Sequence, residues 1–277
     1  MSDFKKFFQA QQLHERIFQK DGKLMFAISK AKEASTLTDI ATSLRPGIKP
    51  HETHGQMTHG VTVWSVYLYK SGDESIKILK SLKYGEPYQV TEKQFNWWLH
   101  DTVDWLTGNL LRSKKYDTVL VPKSSSYLLK AFANEIKKLN PKLTVIEEAF
   151  MKREIKDIEA EIADLVDRDH PEYKNLNQEN INRLFGSIRR ELQKAESEGR
   201  PKTLTVKNLY KPHQKFLKDF MKMAEKDELI EAIMGKKVLV IDDILSSGST
   251  INDMCRQIKF LDPEMVEGLT LFKRTGV

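Results

Sequence analysis

Two adjacent carboxylates, Asp242 and Asp243, follow the apolar run Val238-Leu239-Val240-Ile241. After Ile244 and Leu245 come Ser246, Ser247, Gly248, Ser249 and Thr250, and then apolar residues at Ile251, Met254, Cys255 and Ile258. The pattern predicts a buried strand, an acidic pair, a short loop and a helix. Small residues in such a loop let successive backbone N–H groups converge on a phosphate, and the helix adds its N-terminal partial charge. The hydroxyls are further donors, and Gly248 permits close approach or a positive φ. The carboxylates cannot serve that phosphate, because like charges repel. They suit sugar hydroxyls or a hydrated Mg²⁺ nearby. A ligand with a phosphate at one end, a diol in the middle and a metal-bound polyanion beyond would satisfy every group. A plain capped helix has the same outline, but it leaves two acids at the end of a buried strand with no ligand, which is costly.

A second strand, Asp117-Thr118-Val119-Leu120-Val121, runs into Pro122-Lys123-Ser124-Ser125-Ser126 and a helix through Leu128, Leu129, Phe132 and Ile136. Ligands of open parallel sheets sit beyond the carboxyl ends of the strands, so the two loops are expected to face one cleft. Leu143-Thr144-Val145-Ile146 predicts a third strand, followed by Met151-Lys152-Arg153-Glu154-Ile155-Lys156. Val266 to Arg274 predicts a final strand, and Val61 to Tyr69 an earlier one rich in β-branched and aromatic residues. Alternation of strands and helices calls for a parallel twisted sheet flanked by helices, an α/β fold.

The strand, acid pair and hydroxyl–glycine loop resemble the phosphoribosyl pyrophosphate (PRPP) motif of type I phosphoribosyltransferases, with Ser246 and Ser247 where that family has two threonines. The resemblance implies that Asp242 and Asp243 hold the ribose hydroxyls, and reach Mg²⁺ through them or through water. It implies that Ser246 to Thr250 hold the 5-phosphate. It gives Lys123 and the amides of Ser124, Ser125 and Ser126 to the pyrophosphate, and makes Lys152, Arg153 and Lys156 candidates for a lid. Lys123, Asp242 and Asp243 are the catalytic candidates. The layout is closest to ComF-type phosphoribosyltransferases, through Leu82-Lys83-Tyr84 and a terminal basic residue like Arg274. It lacks their cysteine set and carries extra sequence.

That extra sequence spans 151–213. It reads as two antiparallel helices, one through Ile155, Ile158, Ile162 and Leu165 and one through Ile181, Leu184, Phe185, Ile188 and Leu192. Asp169-His170-Pro171 separates them. Arg183, Arg189, Arg190 and Lys194 form a basic face interrupted by Glu191, Glu196 and Glu198. The expected division is an N-terminal region over 1–105 including a hood, a core over 106–150 and 214–277, and this helical insertion. Helices are expected over Phe4 to Phe18, Ile76 to Leu82, Phe95 to Leu110 and Phe216 to Met223, with a turn at Lys20-Asp21-Gly22. His51, His54 and His59 lie close enough in sequence to bind a metal, although a solvated loop is the preferred reading.

The 277 residues carry 45 basic and 39 acidic side chains, a net charge of +6. That balance suits a polyanionic small ligand and does not mark a nucleic-acid surface by itself. The single cysteine, Cys255, excludes an internal disulfide and a cysteine-based zinc site. No apolar run approaches the ~18 residues of a membrane span, and a cytoplasmic protein is expected. The expected activity is Mg²⁺- and PRPP-dependent transfer of ribose 5-phosphate to a nucleobase or other nitrogen acceptor, in a homodimer. Two alternatives share the motif: a PRPP- or nucleotide-sensing regulator that binds nucleic acid, and a hydrolase of a ribose-phosphate ligand.

Overall fold

Val238 to Ile241 are fully buried, as a strand covered on both faces requires. The computed structural model describes residues 17–20, 23–27, 34–36, 51–52, 61–70, 82–83, 92–124, 127–168, 173, 177–199, 201–204, 209, 217, 220–245 and 248–275. In chain order the elements are β1 (Ile17–Lys20), β2 (Lys23–Ala27), β3 (Ala34–Thr36), β4 (His51–Glu52), β5 (Thr62–Lys70), α1 (Glu92–Leu106), β6 (Thr118–Pro122), α2 (Tyr127–Leu139) and β7 (Thr144–Lys152). There follow α3 (Ile155–Asp167), α4 (Gln178–Ser197), β8 (Met221–Met223), α5 (Asp227–Ile233), β9 (Lys237–Leu245), α6 (Ser249–Lys259) and β10 (Met265–Thr275). A π-helical stretch, Thr107–Leu111, prolongs α1.

The main sheet has the order β4-β5-β10-β9-β6-β7-β8. Strands β5, β10, β9, β6 and β7 are parallel, and the short β4 and β8 pair antiparallel at the two edges. The order reverses between β9 and β6. From β6 the chain steps through α2 outward to β7, and from β9 it steps through α6 the other way to β10. The two crossovers cover opposite faces: α1 and α2 pack with Leu239 and Ile241, whereas α6 packs with Val238 and Val240. Such a reversal opens a crevice at the carboxyl ends of the two diverging strands.

The 151–213 stretch adds to the α6 face. Ile155, Ile158, Ile162, Leu184 and Ile188 are buried in the same cluster as Val238 and Met254. Glu159 pairs with Arg189 at 2.6 Å and Lys156 acts on Glu196, an order that runs α3 and α4 antiparallel.

Other expectations fare differently. Of the helix expected over Phe4 to Phe18, Ile17 and Phe18 instead lie in β1, paired antiparallel with β2, and the remainder falls outside the described residues. Lys20 pairs with Lys23, and Asp21 and Gly22 of the expected turn lie outside the described residues. In the expected Phe216 to Met223 helix, Met221–Met223 is β8. Its burial alternates, with Met221 buried and Lys222 exposed, and the free edge of β7 supplies the ladder partner that overrides helical spacing. Of Ile76 to Leu82, only Leu82 is described.

At the end of the sheet away from the crevice, the buried Glu267 of β10 accepts hydrogen bonds from Trp64 Nε1 (2.7 Å) and from Tyr116 Oη, with Lys114 Nζ 3.7 Å away. Burial and this carboxylate push the Tyr116 hydroxyl well above the usual phenol range. The cluster ties β5, β10 and the segment leading into β6 together.

Gly268 marks the tightest packing. A Cβ there would lie 2.6 Å from Ile251 Cδ1 in the first turn of α6 and 3.1 Å from Val63. Gly268→Ala is therefore expected to destabilise the fold by about 1–3 kcal/mol in chemical denaturation. Adding Ile251→Val, which deletes the clashing methyl, should restore part of the loss. Equal stability of Gly268→Ala and the wild type would contradict this packing.

Candidate active site

The crevice is lined from β9 outward. Asp242 and Asp243 fall just after the buried core of that strand, and both are only partly exposed. Side chains alternate along a strand, so Asp242 lies on the face of Val240 and Asp243 on the face of Ile241. The Asp243 amide donates to Asp242 Oδ1 at 2.8 Å. On the opposite face Lys83 Nζ pairs with Asp243 Oδ2, with only 11% of the lysine side chain and 15% of the aspartate exposed. Beside Asp242, on β10, the buried Thr270 shares a 2.9 Å hydrogen bond with Ser65 of β5.

Burial and the neighbouring Asp243 charge push the Asp242 carboxyl up to about 7, against the pull of the Asp243 amide, Lys83 and Lys152. Lys152 ends β7, two strands from β9, a lateral offset of roughly 10 Å. The pairing of β6 with β7 slips here, from Leu120↔Ile146 to Pro122↔Phe150. Two residues of β6 span four of β7, and Glu148 takes a positive φ of 54° to absorb the difference.

After β9, Gly248 caps α6 with φ 77°, a conformation that only glycine adopts cheaply. It is buried, and its carbonyl accepts the Asn252 amide at 2.9 Å. Ser249 and Thr250 open the helix and are half-buried, whereas Ser246 and Ser247 lie outside the described residues. The loop after β6 leaves late, because the Lys123 amide still donates to the Phe150 carbonyl at 2.7 Å. The Lys123 and Ser124 side chains are exposed, and Ser125 and Ser126 lie outside the described residues. The structure thus brings the β9 acids, the start of α6, Lys123 and Lys152 to one end of the sheet.

Two other basic candidates sit elsewhere. Arg153 follows β7, donates its amide to the Phe220 carbonyl and pairs with Glu161 at 2.5 Å. Lys156 lies on α3 and acts on Glu196 of α4. The basic face of α4 is largely paired: Arg183 with Glu179, Arg189 with Glu159, and Lys194 with Glu198 at 3.8 Å. His51 lies in β4, opposite Val63, and His54 and His59 fall outside the described residues. Among the described residues there is no group of three or more His, Cys, Asp or Glu that could hold a metal ion. None of the described helices is long and apolar enough to cross a membrane.

Lys83 is the site residue that the spacing of chemical groups did not single out. Its signal was limited to Leu82-Lys83-Tyr84, read only as a feature of layout. A second unmarked group is Asp253, fully buried in α6. Its carboxylate accepts the Met221 amide of β8 at 2.9 Å and Arg256 at 3.1 Å, and so fixes the helix against the sheet edge.

Comparison with protein-family models finds a match to the phosphoribosyl transferase domain over residues 179–276, from α4 to the end of β10. The match includes the acid pair and the loop after it, and begins inside the stretch read as an insertion. Comparison with curated proteins finds no match.

The raised Asp242 carboxyl has a consequence for stability. Its ordinary value is 3.8, so between there and about 7 the folded state holds a proton that the unfolded chain has released. Its contribution is full below about pH 4 and is lost as pH rises through about 7. Asp242→Asn is expected to flatten that slope and to stabilise the protein at pH 8 by on the order of a few kcal/mol. Denaturant melts at pH 5 and pH 8 check this, and an unchanged pH slope in the variant would contradict it.

Proposed function

We propose that this protein moves ribose 5-phosphate from PRPP to a nitrogen acceptor and releases pyrophosphate, a reading supported by the match to the phosphoribosyl transferase domain over residues 179–276 and by the parallel sheet with its reversal of strand order. The observation that carries the reading is the acid pair and the glycine-capped helix start at a topological switch point, across from the loop of Lys123. A nucleobase is the acceptor class that suits the chemistry.

Each group has a task. The α6 amides after Gly248, with the Ser249 and Thr250 hydroxyls, hold the 5-phosphate and fix one end of the sugar. Asp242 and Asp243 accept hydrogen bonds from the two ribose hydroxyls, which orients the anomeric carbon. Positive charge builds on the ribose ring as the C–O bond to pyrophosphate lengthens, and the nearby carboxylates favour it. Lys123, with the amides of its loop, and Lys152 at the rim face the departing anion.

The donor set also fits Mg²⁺, a hard cation that prefers oxygen and keeps much of its water. Two carboxylates are present, one engaged by Lys83 and one mostly protonated below about pH 7, so they suit water-mediated or hydroxyl-mediated contact. Bound Mg²⁺ would supply charge neutralisation on the pyrophosphate. Of the lid candidates, Lys152 at the end of β7 stays with the site, whereas Arg153 is held by the Phe220 carbonyl and Glu161, and Lys156 lies on α3.

Calorimetric titration with Mg²⁺ and PRPP tests the reading. Saturable binding is expected. The double variant Asp242→Asn/Asp243→Asn should weaken it by ~100-fold or more, about 2.7 kcal/mol. Pyrophosphate release on adding a panel of nucleobases would then identify the acceptor. Absence of binding at millimolar PRPP by folded wild type would overturn the proposal.

A further inference from the structure

Asp243 already has a partner. Lys83 reaches it from a segment 160 residues earlier in the chain, and the ammonium sits on the oxygen Oδ2. Both side chains are mostly shielded from solvent. The pair is therefore weakly screened by salt and stronger than a surface ion pair. The neighbouring Leu82 is buried in the core formed by α1 and α2, which anchors the backbone that presents Lys83. The same ammonium also acts on Asp242.

We propose that Lys83 is a built-in competitor for the sugar hydroxyls at Asp243, so that the site is latched until a vicinal diol displaces the ammonium. The inference rests on the phosphoribosyl reading of the acid pair and extends it to regulation. A carboxylate oxygen in close contact with an ammonium has lost much of its accepting capacity on that side. A ribose hydroxyl must take that place, and the ammonium must swing away. Apparent affinity is then the intrinsic affinity reduced by the fraction of molecules with the latch open. A sugar phosphate that lacks the hydroxyl at Asp243 has no need to displace the ammonium, so the latch weighs on ribose more than on deoxyribose. The opposing role would be capture of pyrophosphate by Lys83, and a probe without pyrophosphate separates the two.

The probe is ribose 5-phosphate, which carries the diol and the 5-phosphate alone. Its affinity, and that of 2-deoxyribose 5-phosphate, would be measured calorimetrically on wild type, Lys83→Met and Lys83→Arg. If the latch is closed in about nine molecules of ten, Lys83→Met tightens ribose 5-phosphate about tenfold. It should tighten the deoxy sugar less. Lys83→Arg keeps a cation on the carboxylate and should bind no tighter than wild type. Near-ultraviolet circular dichroism confirms that each variant is folded, and if Lys83→Met is not, Lys83→Gln takes its place. Unchanged or weaker binding of ribose 5-phosphate by the uncharged variant overturns the latch while leaving the transferase reading intact. Failure of wild type and all variants to bind either ribose 5-phosphate or PRPP overturns both.

Discussion

Two carboxylates side by side at the end of a buried strand form the constraint on which the other features of the site depend. They repel each other and lose hydration together, and the protein compensates each differently. Asp242 accepts the next amide in the chain and holds its proton to about pH 7, whereas Asp243 takes Lys83 as a counter-ion. Strand alternation sends them to opposite faces, so Lys83 contacts Asp243 while Asp242 relies on the adjacent backbone amide. The reversal of strand order between β9 and β6 makes room for both, and leaves the mouth of the crevice to the start of α6 and the loop of Lys123.

Legibility from sequence follows the range of the interaction. The β9 strand, its acids and the glycine before α6 were readable because strand, loop and cap are set by residues within a few positions of one another. The paired helices α3 and α4 were readable for the same reason, from apolar spacing alone. Lys83 was not, since nothing local tells a lysine that its partner lies 160 residues away. The slip between β6 and β7 was hidden too, because the chain around Glu148 carries no glycine to announce a positive φ. At Met221–Met223 the apolar residues satisfied helical spacing, and the vacant edge of β7 decided for a strand.

Residues 151–213 illustrate how charge counted in a sequence differs from charge available on a surface. Arg183, Arg189 and Lys194 line up on α4, but each faces a carboxylate within the chain. The apolar sides of the two helices meanwhile join the core around α6. Asp253 reinforces that joint, since one carboxylate holds the backbone of β8 and a side chain of α6 together. The helix α6, which opens at the crevice, is thereby braced by a strand that belongs, in sequence, to another part of the molecule.

The sheet ends in β4 on one side, a pairing two residues long, and in β8 on the other, three residues with Lys222 facing out. Among the described residues, these antiparallel stubs pair with Thr62 and Val63 of β5 and with Phe150 to Lys152 of β7. An exposed ladder of that brevity, with a lysine on it, is a poor template for another chain. The same arrangement guards the long inner strands against edge-to-edge aggregation while they hold the site open at their other end.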